Sequence, residues 1–291
     1  MDTGATLYRL LPGDDVPTAI SSYERGEAAL DANDYELAVT CFSEAIEADP
    51  QNAAAYGNRA TAYDQLGEFD KAILDYNKAA QLDPRNPEIY YNRGVAYANR
   101  GEHDRAIAEF TETTRLDPQH ALAYYCRARA NAEKDKHDAA IRDYTKAIEL
   151  APECADAYYY RGIVGVQKGR CHAAIQDYSK AIELAPKYVE AYVNRASAYV
   201  NQQAYDEAIE DCTKAIELKP NLAEAYLNRG SAHGGKGEYD RAVADYTEAI
   251  RLDGNLALAY YCRARANGEK GEMDKAEADL AKARGLGFKP E

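Results

Sequence analysis

Six prolines divide this chain at a constant interval: Pro50, Pro84, Pro118, Pro152, Pro186 and Pro220, each 34 residues beyond the one before. A period of that length excludes one closed core. It means one supersecondary unit copied along the chain, each copy burying its apolar face against its neighbours and the whole forming an extended surface. The 291-residue length would otherwise suggest about two domains.

Laid out on that period, the chain reads as eight units over residues 19–52, 53–86, 87–120, 121–154, 155–188, 189–222, 223–256 and 257–284, preceded by 1–18 and followed by 285–291. Each unit predicts two helices and a turn. The first helix carries a motif such as Tyr90–Asn92–Arg93–Gly94–Tyr97. Gly67, Gly101, Gly169, Gly237 and Gly271 then supply the left-handed residue that ends a helix, a role left to Asn33, Asp135 and Gln203 elsewhere. The second helix runs as in Tyr205–Asp206–Ala208–Ile209 through Leu218, with an Asp near the positive end of the helix dipole. Proline closes the unit.

Small residues predict close helix approach. Alanine fills one slot of the second helix in every unit (Ala38, Ala72, Ala106, Ala140, Ala174, Ala208, Ala242, Ala276), where a larger side chain would cost about 1–3 kcal/mol by overpacking. On the first helix the small residue alternates: Gly26, Ala60, Gly94, Ala128, Gly162, Ala196, Gly230, Ala264. Residues 121–134 and 257–270 differ only at Ala132 and Gly268, so a block of four units was duplicated whole.

These residues resemble the tetratricopeptide repeat family over Ala19 to about Gly285. The aromatic, small, aromatic, alanine, aromatic and proline signature recurs on that family's period. The chain departs from it with Tyr in place of the usual Trp (Tyr56, Tyr90, Tyr124, Tyr158, Tyr192, Tyr226, Tyr260) and with Arg in place of the usual Leu before the small residue. The resemblance implies an all-α, right-handed solenoid of eight hairpins.

That arginine recurs in every unit, and in seven it has an acid in register on the second helix. The pairs are Arg59 with Asp75, Arg93 with Glu109, Arg127 with Asp143, Arg161 with Asp177, Arg195 with Asp211, Arg229 with Asp245 and Arg263 with Asp279; Arg25 instead faces Cys41. The register predicts a ladder of ion pairs that sets alignment more than stability, because desolvation offsets much of the Coulomb gain. A positive stripe for phosphate or acidic tails is the alternative.

Function in the resembled family resides in a concave groove lined by first helices. Carried over slot by slot, the implied peptide-binding residues are Asn58, Tyr91, Asn92, Val95, Tyr125, Arg129, Tyr159, Tyr160, Ile163, Asn194, Asn228, Tyr261 and Arg265. Asparagine both donates and accepts, so it can pair with any extended backbone. Tyrosine brings large contact area with few rotors to freeze. The plainer reading is that these tyrosines pack only within the stack. For Arg129 and Arg265 it is an ion pair with Glu133 and Glu269, four residues on. Glu88, Asp156, Glu190 and Glu224 make the groove edge acidic, which disfavours a clamp for acidic tails.

The formal charge of −14 and a pI near 4.9 argue against nucleic acid, whose binders cluster Lys and Arg. An apolar or basic protein segment is the expected partner. No apolar run reaches the ~18 residues of a membrane span. The start lacks the basic and apolar parts of a secretory signal, so a cytoplasmic location is expected, with a leader removed beforehand the alternative. Cys41, Cys126, Cys154, Cys171, Cys212 and Cys262 have no metal-ligand spacing and read as free thiols. The five histidines, His103, His120, His137, His172 and His233, read as packing substitutes or lack a partner at ligand spacing. No cofactor, metal or catalytic group is expected.

Terminal units of such stacks are normally modified. The polar helix Met273 to Arg284 is expected to cap one end with Gly285 to Glu291 trailing, and Leu7, Leu10 and Leu11 to cover the other. The sequence therefore predicts a non-catalytic scaffold or adaptor, monomeric or weakly self-associating. The alternative is a structural protein whose partner is a second copy of itself.

Overall fold

The computed structural model describes residues 21–289, and among them the backbone is all helix and turn, with sixteen α-helices and no strand. The chain divides after Leu116 into two compact units. The first holds three hairpins: α1 (Ser22–Asp31) with α2 (Tyr35–Ala48), α3 (Ala53–Gln65) with α4 (Phe69–Leu82), and α5 (Pro87–Asn99) with α6 (His103–Leu116). The second holds five: α7 (Ala121–Glu133) with α8 (His137–Leu150), α9 (Ala155–Gln167) with α10 (Cys171–Leu184), α11 (Val189–Asn201) with α12 (Tyr205–Leu218), α13 (Ala223–Gly235) with α14 (Tyr239–Leu252), and α15 (Ala257–Glu269) with α16 (Met273–Gly285).

Local chemistry starts and stops these helices. Ser21 and Glu24 form a reciprocal capping box at α1, Asn52 accepts from the Ala55 amide at α3, and His120 Nδ1 accepts from the Ala123 amide at α7. Each such cap contributes about 1 kcal/mol. Inside the hairpins the chain turns through one left-handed residue, a glycine at Gly67, Gly101, Gly169, Gly237 and Gly271, and Asn33, Asp135 and Gln203 with φ of 58°, 54° and 61° in the other three. That geometry returns an amide to the helix just ended, as when Glu68 N donates to Tyr63 O at 2.8 Å.

Hairpins close on small residues. Ala38, Ala72, Ala106, Ala140, Ala174, Ala208 and Ala242 are fully buried, and Ala276 is nearly so. Opposite them the first-helix glycines lie against rings: a Cβ on Gly26 would sit 2.6 Å from Phe42, on Gly94 2.7 Å from Phe110, on Gly162 2.7 Å from Tyr178 and on Gly230 2.8 Å from Tyr246. Within each unit a second helix packs on its own first helix and on the next hairpin's first helix. Successive first helices also touch, whereas successive second helices do not. The first helices of a unit therefore stand closer to one another than its second helices do and share one face.

The leucines expected to cap the start, and the segment 1–18 with them, lie outside the described residues. At the other end the expected trailing segment turns back instead. Gly287 adopts φ 87°, and Phe288 N donates to Ala283 O at 3.0 Å, which lays the Phe288 ring 4.5 Å from that of Tyr261. Among the described residues no helix is long and apolar enough to cross a membrane.

Candidate functional site

The motif arginines point into the stack. Asp75, Asp143, Asp177, Asp211, Asp245 and Asp279 each accept two hydrogen bonds, from Arg59, Arg127, Arg161, Arg195, Arg229 and Arg263, at 2.6–2.9 Å. Arg93 reaches Glu109 with Nη2 alone at 2.7 Å, because the longer glutamate offers a different approach, and its buried Nε has no partner. Arg25, opposite Cys41, pairs with Glu44 at 2.7 Å.

The remaining guanidinium nitrogen reaches back one hairpin. Arg59 donates to Ser43, Arg93 to Asn77, Arg161 to Thr145, Arg195 to Ser179, Arg229 to Thr213 and Arg263 to Thr247, at 2.8–3.4 Å. Each of these arginines therefore joins three helices. Each guanidinium also lies 5.3–5.8 Å from the tyrosine ring three residues before it, as Arg93 does from Tyr90 and Arg195 from Tyr192. The Tyr and Arg departures from the family pattern thus belong together: the ring's negative face takes the cation that replaces leucine.

With those groups engaged, the first-helix face is left to the slots beside them. In the first unit, Tyr91 is half-buried with its ring 6.0 Å from Phe110. Asn58 donates to the Tyr23 hydroxyl at 3.1 Å, Asn58 and Asn92 line a small cleft with Ile89, and Val95 is half-buried nearby on α5.

In the second unit the tyrosines form one aromatic cluster. Tyr125 meets Tyr144 at 5.9 Å and Tyr160 at 6.2 Å, Tyr160 stacks on Tyr144 at 6.5 Å, and Tyr159 contacts Tyr160 at 5.1 Å, Tyr178 at 5.9 Å and Tyr188 at 4.7 Å. Tyr144 and Tyr178 are fully buried, while Tyr125, Tyr159, Tyr160 and Ile163 are half-buried. Burial pushes the hydroxyls of Tyr125, Tyr144 and Tyr178 well above the usual tyrosine range. Tyr188, which the sequence reading passed over, donates to Asp156 at 2.8 Å.

The asparagines meet partners inside the stack. Asn194 donates to the Tyr159 hydroxyl at 3.0 Å and Asn228 to Val193 O at 3.3 Å. Each reaches back to the preceding first helix and keeps its carbonyl for another donor. Among the described residues Arg129 makes no ion pair with Glu133, the plainer of its two readings: its guanidinium lies 5.7 Å from the Tyr160 ring of the next hairpin, a cation-π contact the helix spacing alone could not show. Arg265 stays exposed beside Cys262 and makes no ion pair with Glu269, and Tyr261 is covered by Phe288. Asp156, Glu190 and Glu224 stand exposed at the starts of α9, α11 and α13 and make that edge of the second unit acidic.

His233 is buried, with Nδ1 2.8 Å from Glu238, and this contact is the main cause holding the Glu238 carboxyl below its ordinary range. His103 and His137 begin α6 and α8, half-buried, in the slot that Tyr205 and Tyr239 fill elsewhere. The six cysteines are unpaired, Cys41 and Cys212 being buried. Among the described residues no group of three or more His, Cys, Asp or Glu side chains is placed to hold a metal ion.

Comparison with known proteins agrees with this architecture. Family models described as TPR repeat match residues 62–101 and 164–203, and others described as tetratricopeptide repeat match 19–52, 41–73, 91–149, 189–222 and 223–256. Among solved structures, YrrB, described as a TPR protein with an unusual peptide-binding site, is 25% identical, with 63% of this chain and 95% of that one aligned at a TM-score of 0.59. MamA is 34% identical over 55% of this chain and 94% of its own, at 0.54. The C-terminal part of a TPR repeat-containing protein from Cytophaga hutchinsonii is 19% identical over 81% and 97%, at 0.70, a likeness of fold. Such proteins are in general non-catalytic and mediate protein–protein interaction. With sixteen helices in eight hairpins and family models matching most of its length, the chain belongs to the tetratricopeptide repeat family.

Proposed function

We propose that this protein is an adaptor that holds an extended segment of a partner protein on the first-helix face of its second unit. One observation carries the reading: Tyr125, Tyr159, Tyr160 and Ile163 remain half-exposed together on that face, although Tyr144 and Tyr178 already fill the interior behind them. Large, pre-positioned rings bury area on binding with little entropy left to lose. Asp156, Glu190 and Glu224 along the edge favour a segment that is apolar with basic residues on that side. A peptide-binding site described for YrrB is consistent with this use of the fold.

The test is selection of peptides from a random displayed library on the immobilised full chain, followed by affinity measurement on variants. Tyr159→Ala/Tyr160→Ala is expected to weaken selected peptides at least tenfold, whereas Leu74→Ser, at an exposed second-helix position, leaves affinity unchanged. Peptides whose affinity ignores the tyrosine pair would sink the reading.

A further inference from the structure

A second feature of the same unit lies among α11 to α15. A cleft of about 330 Å³ opens there, lined by Tyr205, Ser231, Gly234, Tyr246, Arg265 and Glu269 among others. Its origin is local. In the two preceding hairpins the slot of Gly234 holds Val166 and Val200, and the slot of Gly235 holds Gln167 and Asn201; here both side chains are missing. Tyr205 closes one side by lying directly on Gly235, where its ring leaves no room for a Cβ. The Tyr246 hydroxyl, 3.4 Å from Ser231 Oγ, forms part of the base.

One charge at this cleft stands without an opposite partner in contact. The ladder arginines are all paired, and Arg129, the equivalent of Arg265 across the internal duplication, has the Tyr160 ring beneath it. Arg265 has neither a carboxylate within ion-pair distance nor a ring below it among the described residues. Its field nevertheless reaches the cleft wall. Burial pushes the Tyr246 hydroxyl and the Cys262 thiol up, and the Arg265 charge pulls back on both.

We propose that this cleft seats an acidic side chain, aspartate or glutamate, of the bound segment, with its carboxylate on Arg265; the segment's presence rests on the groove reading above. A planar guanidinium suits a carboxylate by its paired N–H donors. The tyrosine walls take the methylene stem, and the volume leaves room for hydrating water. A basic side chain is disfavoured by Arg265. A phosphate would find one arginine with Glu269 opposing it. The ligand is thus apolar to basic toward the Asp156–Glu190–Glu224 edge and carries one acid at the α13 cleft.

The site can be tested without knowing the partner, using N-acetyl-glutamate N-methylamide as probe and N-acetyl-glutamine N-methylamide as its uncharged isostere. Titrated into the isotopically labelled full chain, the glutamate probe is expected to shift the Gly234 and Gly235 amide resonances saturably, with the glutamine probe at least fivefold weaker. Arg265→Gln should abolish the difference. Glu269→Gln should tighten binding about two- to fivefold by removing the opposing charge. Gly234→Val should fill the cleft and block both probes while the chain stays folded, because a Cβ there meets only Tyr246 Oη at 3.6 Å and Ala242 Cβ at 3.9 Å. Equal response to the two probes, or a response unchanged in Arg265→Gln, overturns the proposal. Loss of tyrosine-dependent peptide binding with the glutamate response intact would remove the groove reading alone.

Discussion

At Arg195 one side chain does what a leucine in the same slot could not. Its guanidinium bonds Asp211 twice, at 2.7 and 2.6 Å, and Ser179 at 2.8 Å, and lies 5.8 Å from the Tyr192 ring. The carboxylate side chain is only 7% exposed, so the pair's value must be separated from the cost of breaking it. Arg195→Met is expected to destabilise by about 3–5 kcal/mol, because Asp211 would be left charged and buried. Arg195→Met/Asp211→Leu should recover most of that loss, as an apolar pair of similar volume does. Chemical denaturation of the two variants checks both values; equal losses would mean that the arginine acts by packing rather than by pairing. The partners of this ladder could be read from the sequence because each acid stands 16 residues beyond its arginine in the same hairpin. The reach of Nη1 to the preceding hairpin could not, since Ser43, Asn77, Thr145 and Ser179 show no common chemistry beyond a polar oxygen.

The hairpin is the element in which volume is decided. Gly94 lies where an added Cβ would come within 2.7 Å of Phe110, whereas Gly57, inside α3, has no atom within 4 Å of that position. Gly94→Ala should therefore cost about 1–3 kcal/mol by overpacking. Gly57→Ala should stabilise by about 0.5–1 kcal/mol through helix propensity. Thermal melts of the two single variants, opposite in sign, check the contrast. The same interiors set the response to alkali. Burial raises the Tyr76, Tyr144, Tyr178 and Tyr246 hydroxyls above their unfolded value near 10, so their contribution is fully present below that pH and is lost as pH rises beyond it. Ultraviolet titration of the 25 tyrosines is expected to show an exposed class ionising first and a buried class ionising only as helical circular dichroism is lost. Each ring stands 16 residues beyond its glycine, again a fixed separation within one hairpin; why the small residue alternates between Gly and Ala was not legible, because Ala60 and Ala128 are buried in the same clusters as Tyr76 and Tyr144.

For the molecule as a whole, ends matter because each hairpin is held only by its neighbours. Phe288 packs on α15 through the Tyr261 ring, standing in the slot where proline closes most other units. Phe288→Ala is expected to cost about 1–2 kcal/mol from lost burial and ring contact, and to do so locally. Hydrogen exchange should then speed up across α15 and α16 while the helices before them keep their protection. Uniform acceleration along the chain would show that the tail is not a local cap.

The sequence by itself determined the helices, their pairing into eight hairpins, the positions of the turns and the ladder partners. All of these depend on contacts at fixed separations, within a hairpin or between adjacent ones, which a strict period carries directly. The tertiary structure alone decided three things: that Asn194 and Asn228 reach back to the preceding first helix, that Arg129 lies on Tyr160 while Arg265 stays unpaired, and that a cleft opens beside Gly234 with the Tyr205 ring on Gly235 as one wall. A slot pattern names the residue that stands at each position. Whether its polar group is already satisfied, or the space beside it is empty, depends on neighbours from several helices at once.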